Sequence, residues 1–281
     1  MNILLTGADG NFGSEFRHQA TKAGDVGVLP VGRHDWAGLN EKMASCDVVV
    51  HAASDLRTTA SQEPTRLLDS NVMSTAKLLE ASLHHGVKKL VFLSSCAVYG
   101  EDMRTAEDSL CCPITINGVS KLLNEKLIAE FCRVNGMDYQ ILRVFNSYGG
   151  DDRFSIFSKL KRALQTDTAF TLNNDGRMQR DFIHVADVAS VVLRLSTATV
   201  PTHTHLNIGT GTATKISALV DLVADQFPRL VIKRGISQEA EYSRSDTTRL
   251  REFWTEEFIR VEHYITDHFA SYVANDPLVT R

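Results

Sequence analysis

Long apolar runs are absent from this sequence: no stretch approaches the roughly 20 residues that an α-helix needs to cross a bilayer, so no membrane association is expected. An excess of positive charge is absent too. With 30 Lys and Arg against 34 Asp and Glu, the net charge is −4, which offers no bulk attraction for nucleic acid or an anionic membrane surface. Cysteine is sparse and irregular. Its five copies (Cys46, Cys96, Cys111, Cys112 and Cys132) form no framework, and the Cys111-Cys112 pair has neither Cys-x-x-Cys spacing nor flanking histidines. No metal is expected, and reduced thiols in a cytoplasmic protein are. The first residues show none of the basic, apolar and cleavage segments of an export signal. There is also no internal repeat, low-complexity tract or obvious linker.

What the chain does contain is a balanced core. Its 281 residues are 43% hydrophobic and 23% charged, as in a soluble globular protein of one large domain or two fused ones. Asn2-Ile3-Leu4-Leu5-Thr6 reads as a buried strand. It runs into Gly7-Ala8-Asp9-Gly10-Asn11-Phe12-Gly13, where three glycines at a spacing of three allow a tight turn and a close backbone approach. A helix over Phe12 to Ala23 would aim its N–H groups at an anion such as a pyrophosphate. Further strands are expected at 26–31, 47–53, 90–93 and 139–142, and helices at 36–44, 64–84 and 117–134. This alternation predicts an α/β fold, a Rossmann-like doubly wound parallel sheet with a smaller mixed C-terminal lobe. Ligands of such sheets collect beyond the carboxyl ends of the strands, where Gly7 to Gly13, Ser94-Ser95 and Asn146 all fall.

A series of motifs then resembles the extended short-chain dehydrogenase/reductases that act on nucleotide-activated sugars. The carriers are the glycine turn, His51-Ala52-Ala53, Asn71, Ser94-Ser95-Cys96-Ala97-Val98-Tyr99-Gly100 and Asn117-Gly118-Val119-Ser120-Lys121. Leu142 to Gly149, Arg180 to Val188 and Asn207-Ile208-Gly209-Thr210-Gly211 follow in the family's order. The resemblance implies that residues 1–148 and 182–213 form the dinucleotide-binding part, and that 149–181 and 214–281 form the lobe for a nucleotide-sugar substrate. It implies cofactor contacts from Gly7, Asp9, Gly10, Asn11, Phe12, Gly13, Arg33, His51, Ala52, Ala53, Asn71, Ser94 and Lys121. It implies substrate contacts from Ser95, Cys96, Asn146, Arg180 and Arg244, with Asp246 close by, and a homodimer through helices 64–84 and 117–134. Each position also has a plainer reading. The serines would satisfy strand-end backbone groups, Asn71 and Lys121 would be solvated, and His51 and His184 would be satisfied core or rim residues. Tyr99 and Tyr148 would be wall residues, either able to lend a phenol to the pocket.

The family's catalytic tyrosine is missing. Members use a tyrosine as acid–base, lowered in pKa by a lysine four residues later on the same helix face. Here Ser95, Asn117 and Lys121 occupy the catalytic positions, and Asn117 stands where that tyrosine would be. An amide hydrogen-bonds but does not titrate. Four explanations stay open: another proton carrier (Ser95, a water held by Asn117, Tyr99 or Cys96), binding without turnover, substrate-supplied acid or base, or an inactivated variant. Cys96-Ala97 replaces the acid pair of the family's dehydratases, which disfavours sugar dehydration and leaves keto-sugar reduction or 4-epimerisation. At the end of the second strand, Val31-Gly32-Arg33-His34-Asp35 lacks the acid that NAD enzymes carry there. Arg33, assisted by His34, suits a 2′-phosphate, so NADP is the expected cofactor, with NAD possible through Asp35.

Overall fold

Short uncharged segments determine the centre of the molecule. The computed structural model describes residues 1–33, 35–55, 64–101, 105–198, 203–237 and 240–274; His34 lies outside the described residues. β1 (Asn2–Thr6) leads through α1 (Asn11–Ala23) to β2 (Gly27–Val31), and α2 (Leu39–Met43) leads on to β3 (Val48–His51). Next come α3 (Pro64–Leu67), a π-helical turn at Leu68–Met73, α4 (Ser74–His84), β4 (Lys89–Ser95), α5 (Ile116–Asn135) and β5 (Asp138–Val144). The expected helix over 64–84 is therefore interrupted. Its widened turn carries Asn71, in keeping with the occurrence of such turns at functional positions.

The second half is richer in short strands than its sequence suggested. It holds β6 (Asn146–Tyr148), α6 (Ile156–Thr166), β7 (Phe170–Asn173), β8 (Gln179–His184), α7 (Val185–Thr197) and β9 (His205–Ile208). β10 (Ala213–Lys215), α8 (Ile216–Gln226), β11 (Ile232–Gly235), β12 (Tyr242–Ser243), α9 (Thr248–Arg251) and α10 (Val261–Ala274) complete it.

Six strands pair in the order β2-β1-β3-β4-β5-β9, all parallel. Alternation assigns their side chains to two layers. Ile3, Leu5, Val50, Val91 and Leu93 pack with Phe16, Ala20, Val188, Val192 and Leu195. Leu4, Val49, Leu90 and Phe92 pack with Leu39, Met43, Leu78, Leu79 and Ile128 on the other face. Burial on both faces is why these strands read as continuous apolar runs. Pro30, which cannot donate to a ladder, sits on the edge strand β2, where that costs least.

β8 centres a smaller sheet, with β10 antiparallel and β12 and β6 parallel to it. The expected division between residues 181 and 182 falls inside this strand. Tyr148, Phe157, Leu160, Leu219, Tyr264 and Phe269 form the core beneath it. Leu250, Trp254 and Phe258, from the last segment, pack instead into the layer that holds Phe16 and Val188. No helix among the described residues is long and apolar enough to cross a membrane.

Candidate cofactor and substrate site

The glycine turn is fixed by sterics on two sides. Gly7 has a φ of +71°, and a Cβ built there would lie 2.8 Å from the Ala53 nitrogen. A Cβ on Gly13 would lie 2.3 Å from the Gly7 carbonyl oxygen. Gly7 also donates its N–H to the Val31 carbonyl at 3.0 Å, tying the turn to the end of β2. Gly10, whose N–H donates to the Gly7 carbonyl at 3.0 Å, precedes α1 at the carboxyl edge of the sheet, and the first-turn N–H groups of Asn11, Phe12 and Gly13 are suited to a diphosphate. The Asn11 side chain faces elsewhere: it donates to the Gly149 carbonyl and accepts from the Asp151 N–H. Phe12 packs on Phe16.

His51 is cement. It is fully buried and shares hydrogen bonds with Thr6 Oγ1 at 2.7 Å and Thr75 Oγ1 at 2.9 Å. Burial, with Lys121 adding to it, lowers its pKa to about 3. Its ring is therefore spent inside the protein, while Ala52 and Ala53 border the glycine turn. Asn71 is buried and bridging: Oδ1 accepts from the Asp55 N–H, and its carbonyl accepts from Thr75 and from Asn124 Nδ2. Its own Nδ2 has no protein partner among the described residues.

Ser95, Asn117 and Lys121 are brought together by a single close approach. A Cβ on Gly118 would lie 2.3 Å from the Ala97 carbonyl oxygen, so the first turn of α5 presses onto the turn after β4. Thr115 caps that helix by accepting from the Gly118 N–H, and Ser95 Oγ accepts from the Ala97 N–H at 3.2 Å. Asn117 is half-buried, and its Oδ1 has no protein partner among the described residues. One turn on, Lys121 is buried. Its Nζ donates to the Leu93 carbonyl at 2.8 Å and lies 4.9 Å from the centre of the Phe92 ring. Burial lowers its pKa to about 8 against the opposing pull of Glu125.

Ser94 departs from its expected role. Its hydroxyl donates into the interior, to Glu125, which also pairs with Arg143 at 2.8 Å. Tyr99, considered as a proton carrier, and Tyr148, considered for the pocket wall, are likewise engaged in the interior. Tyr99 is buried, donates to Asn207 Oδ1 at 2.6 Å and accepts from Arg143 at 3.0 Å. Tyr148 is buried and donates to the Ile259 carbonyl. Burial raises both pKa values well above the ordinary phenol range. The half-buried Cys96 thiol stands against Ser243 and Ser95, and burial pushes its pKa up to about 11.

On the substrate side, Asn146 Nδ2 donates to the Asp181 carbonyl at 2.9 Å. Arg180 donates to the carbonyls of Gln179 and Ala240 and lies near Cys96. Arg244 is exposed. Asp246 accepts from the Thr248 N–H and hydroxyl at the start of α9, and these bonds hold its carboxyl below the usual range. His184 caps α7 through Nδ1, on the rim. Sequence reasoning missed Glu125, Arg143 and Asp181. Only Glu125 carried a signal, lying four residues beyond Lys121 on the same helix face. Asp181, fully buried, accepts five hydrogen bonds from Thr210, Gly211 and Ser245.

A parallel sheet whose first strand turns through three glycines into a helix, with a buried lysine across the crevice, defines a dinucleotide-binding α/β protein. Residues 3–209 match the family described as the NAD dependent epimerase/dehydratase family, and the chain belongs to it. A dTDP-glucose 4,6-dehydratase from Streptomyces antibioticus is 30% identical over 221 residues, covering 66% of each chain. A UDP-glucose 4-epimerase from Lactobacillus helveticus is 33% identical over 162 residues. That match spans 50% of this chain and only 49% of the epimerase. The fold coincides with that of a UDP-glucuronic acid 4-epimerase from Bacillus cereus, solved in complex with UDP-glucuronic acid and NAD. The TM-score is 0.89, over 98% of this chain and 99% of that one, at 22% identity.

Proposed function

We propose that this chain is an enzyme that interconverts a hydroxyl and a ketone on a nucleotide-activated sugar, by 4-epimerisation or keto-sugar reduction. The observation that supports the reading is the contact of Gly118 with the Ala97 carbonyl, which sets the first turn of α5, with Asn117 and then Lys121, against the turn that follows Ser95. A nicotinamide dinucleotide bound here would accept or return hydride at the sugar carbon. Gly7 to Gly13 and the first N–H groups of α1 would hold its diphosphate, and Lys121 would face its ribose. Ser95 and Asn117 would orient the sugar hydroxyl, either directly or through a water held by Asn117 Oδ1, which has no protein partner among the described residues. Lys121, with its pKa lowered to about 8, is the group of this trio that titrates nearest neutrality. Cys96-Ala97, in place of an acid pair, argues against sugar dehydration. Arg33, exposed at the end of β2, speaks for NADP(H), and the carboxylates of Asp9 and Asp35 beside it speak for NAD(H).

The reading extends to organisation. Residues 1–148 and 182–213 would hold the dinucleotide, and 149–181 with 214–281 the sugar nucleotide, with Asn146, Arg180 and Arg244 toward its diphosphate. A homodimer is supported by apolar side chains left exposed on α4, α5 and the π-helical turn: Leu68 at 43%, Met73 at 49%, Leu83 at 46% and Leu123 at 46%.

A second reading, binding without turnover, is favoured by Asn117 alone. Nicotinamide absorbance followed with UDP- and dTDP-sugars separates the two. Turnover by the chain as it stands, lost in Lys121→Met, supports the enzyme. Turnover confined to Asn117→Tyr would sink it, since restoring an acid–base group is worth about 10² to 10⁴ in rate.

A further inference from the structure

The end of β2 has no side chain. Val31 is paired with Thr6, and the next residue is Gly32. Because Gly7 and Ala8 both donate to the Val31 carbonyl, at 3.0 and 3.4 Å, the glycine turn lies directly against this strand end. A Cβ built on Gly32 would lie 2.1 Å from Oδ2 of Asp9 and 3.3 Å from Oδ2 of Asp35. The Asp9 carboxylate thus fills the space into which a side chain at the end of β2 would grow. In dinucleotide folds that space supplies the carboxylate which receives the adenosine ribose 2′-hydroxyl.

The two carboxylates differ in what they already hold. Asp35 accepts from the Gly32 N–H at 3.1 Å and stands 3.8 Å from Lys42 Nζ, which itself donates to the Pro30 carbonyl. Asp35 is therefore committed to closing the turn after β2. Asp9 is exposed and makes no hydrogen bond to protein among the described residues.

We infer that Asp9 supplies from the glycine turn the carboxylate that β2 lacks, and that the chain therefore selects NAD(H) over NADP(H). The inference rests on the dinucleotide-binding reading above. A ribose 2′-hydroxyl donates to Asp9, whereas a 2′-phosphate has no proton to donate and brings its charge against a carboxylate. Arg33 is exposed and does not remove that carboxylate. An acid at the end of β2 would need the exposed Asp9 side chain to swing aside; with Gly32 there, the acid on the turn keeps that space.

Titration of the full chain with NADH and with NADPH, by calorimetry or nicotinamide fluorescence, tests this. A charge-assisted hydrogen bond gained against one lost predicts at least about tenfold tighter binding of NADH. Asp9→Asn, an exposed change that leaves the turn's glycines in place, should reduce that ratio to within about threefold, while Arg33→Ala leaves it above tenfold. Tighter binding of NADPH, or a preference that ignores Asp9→Asn, would overturn the role of Asp9 and leave dinucleotide binding intact. Binding of neither nucleotide would overturn both readings at once.

Discussion

Replacing Glu125 by alanine should come close to unfolding the protein. The carboxylate is 1% exposed and accepts from the Ser94 hydroxyl and from Arg143 Nε and Nη2. Arg143 is itself buried, and its remaining acceptors, the Tyr99 hydroxyl and the Glu107 carbonyl, are both neutral. Removing the acid strands a guanidinium in the interior, which costs about 3–5 kcal/mol. The lost acceptor for Ser94 adds about 1 kcal/mol. Set against a net stability of about 5–15 kcal/mol, a loss of about 4–6 kcal/mol is close to the whole. Removing both charges at once, as in Glu125→Gln with Arg143→Met, should cost less than the sum of the single changes, with a coupling of at least about 2 kcal/mol. Urea unfolding followed by circular dichroism measures every corner of the cycle. A loss below about 1 kcal/mol for Glu125→Ala, or strict additivity, would refute the view that this pair holds β4, β5 and α5 together.

Two further predictions concern groups buried beside the site. His51 is held neutral, so the unfolded chain binds one more proton between about pH 3 and about 6.5. Stability must then fall as pH falls through that window, by about 2 kcal/mol between pH 7 and 5 from this residue; an equal acid loss in His51→Gln would exclude it as the source. Tyr99→Phe should cost about 1–3 kcal/mol, because Arg143 and Asn207 lose a shared partner. It should leave dinucleotide affinity and any pH–rate profile unchanged; a shift in that profile without loss of stability would return Tyr99 to the chemistry.

The first half of the molecule was legible because its signals are local. Val48-Val49-Val50 has no polar residue to turn outward and so had to be a strand buried on both faces. The glycine spacing and the helix after it lie within a dozen residues, and the motif order supplied the rest. The second half was harder. β12 is two residues long and β10 three, too short to show an alternation, and they exist because β8 offers both edges. Tyr99 looked available for proton transfer, and Tyr148 for the pocket wall, because a sequence does not state burial. Glu125 and Arg143 are 18 residues apart and meet only when α5 folds back over β4 and β5. Asp9 was expected among the cofactor contacts, but its place against Gly32 was not legible, because the two meet only once β1 and β2 lie side by side.

Asp181 has a consequence for how firmly the second half is held. Its five hydrogen bonds fasten β8 to the loop after β9 and to the segment leading into α9. That seam joins the sheet that carries the glycine turn to the one that carries Arg180. Parting these segments would leave a fully buried carboxylate short of donors, at more than the about 1–3 kcal/mol that a neutral group costs, so one side chain keeps three stretches of the chain in register.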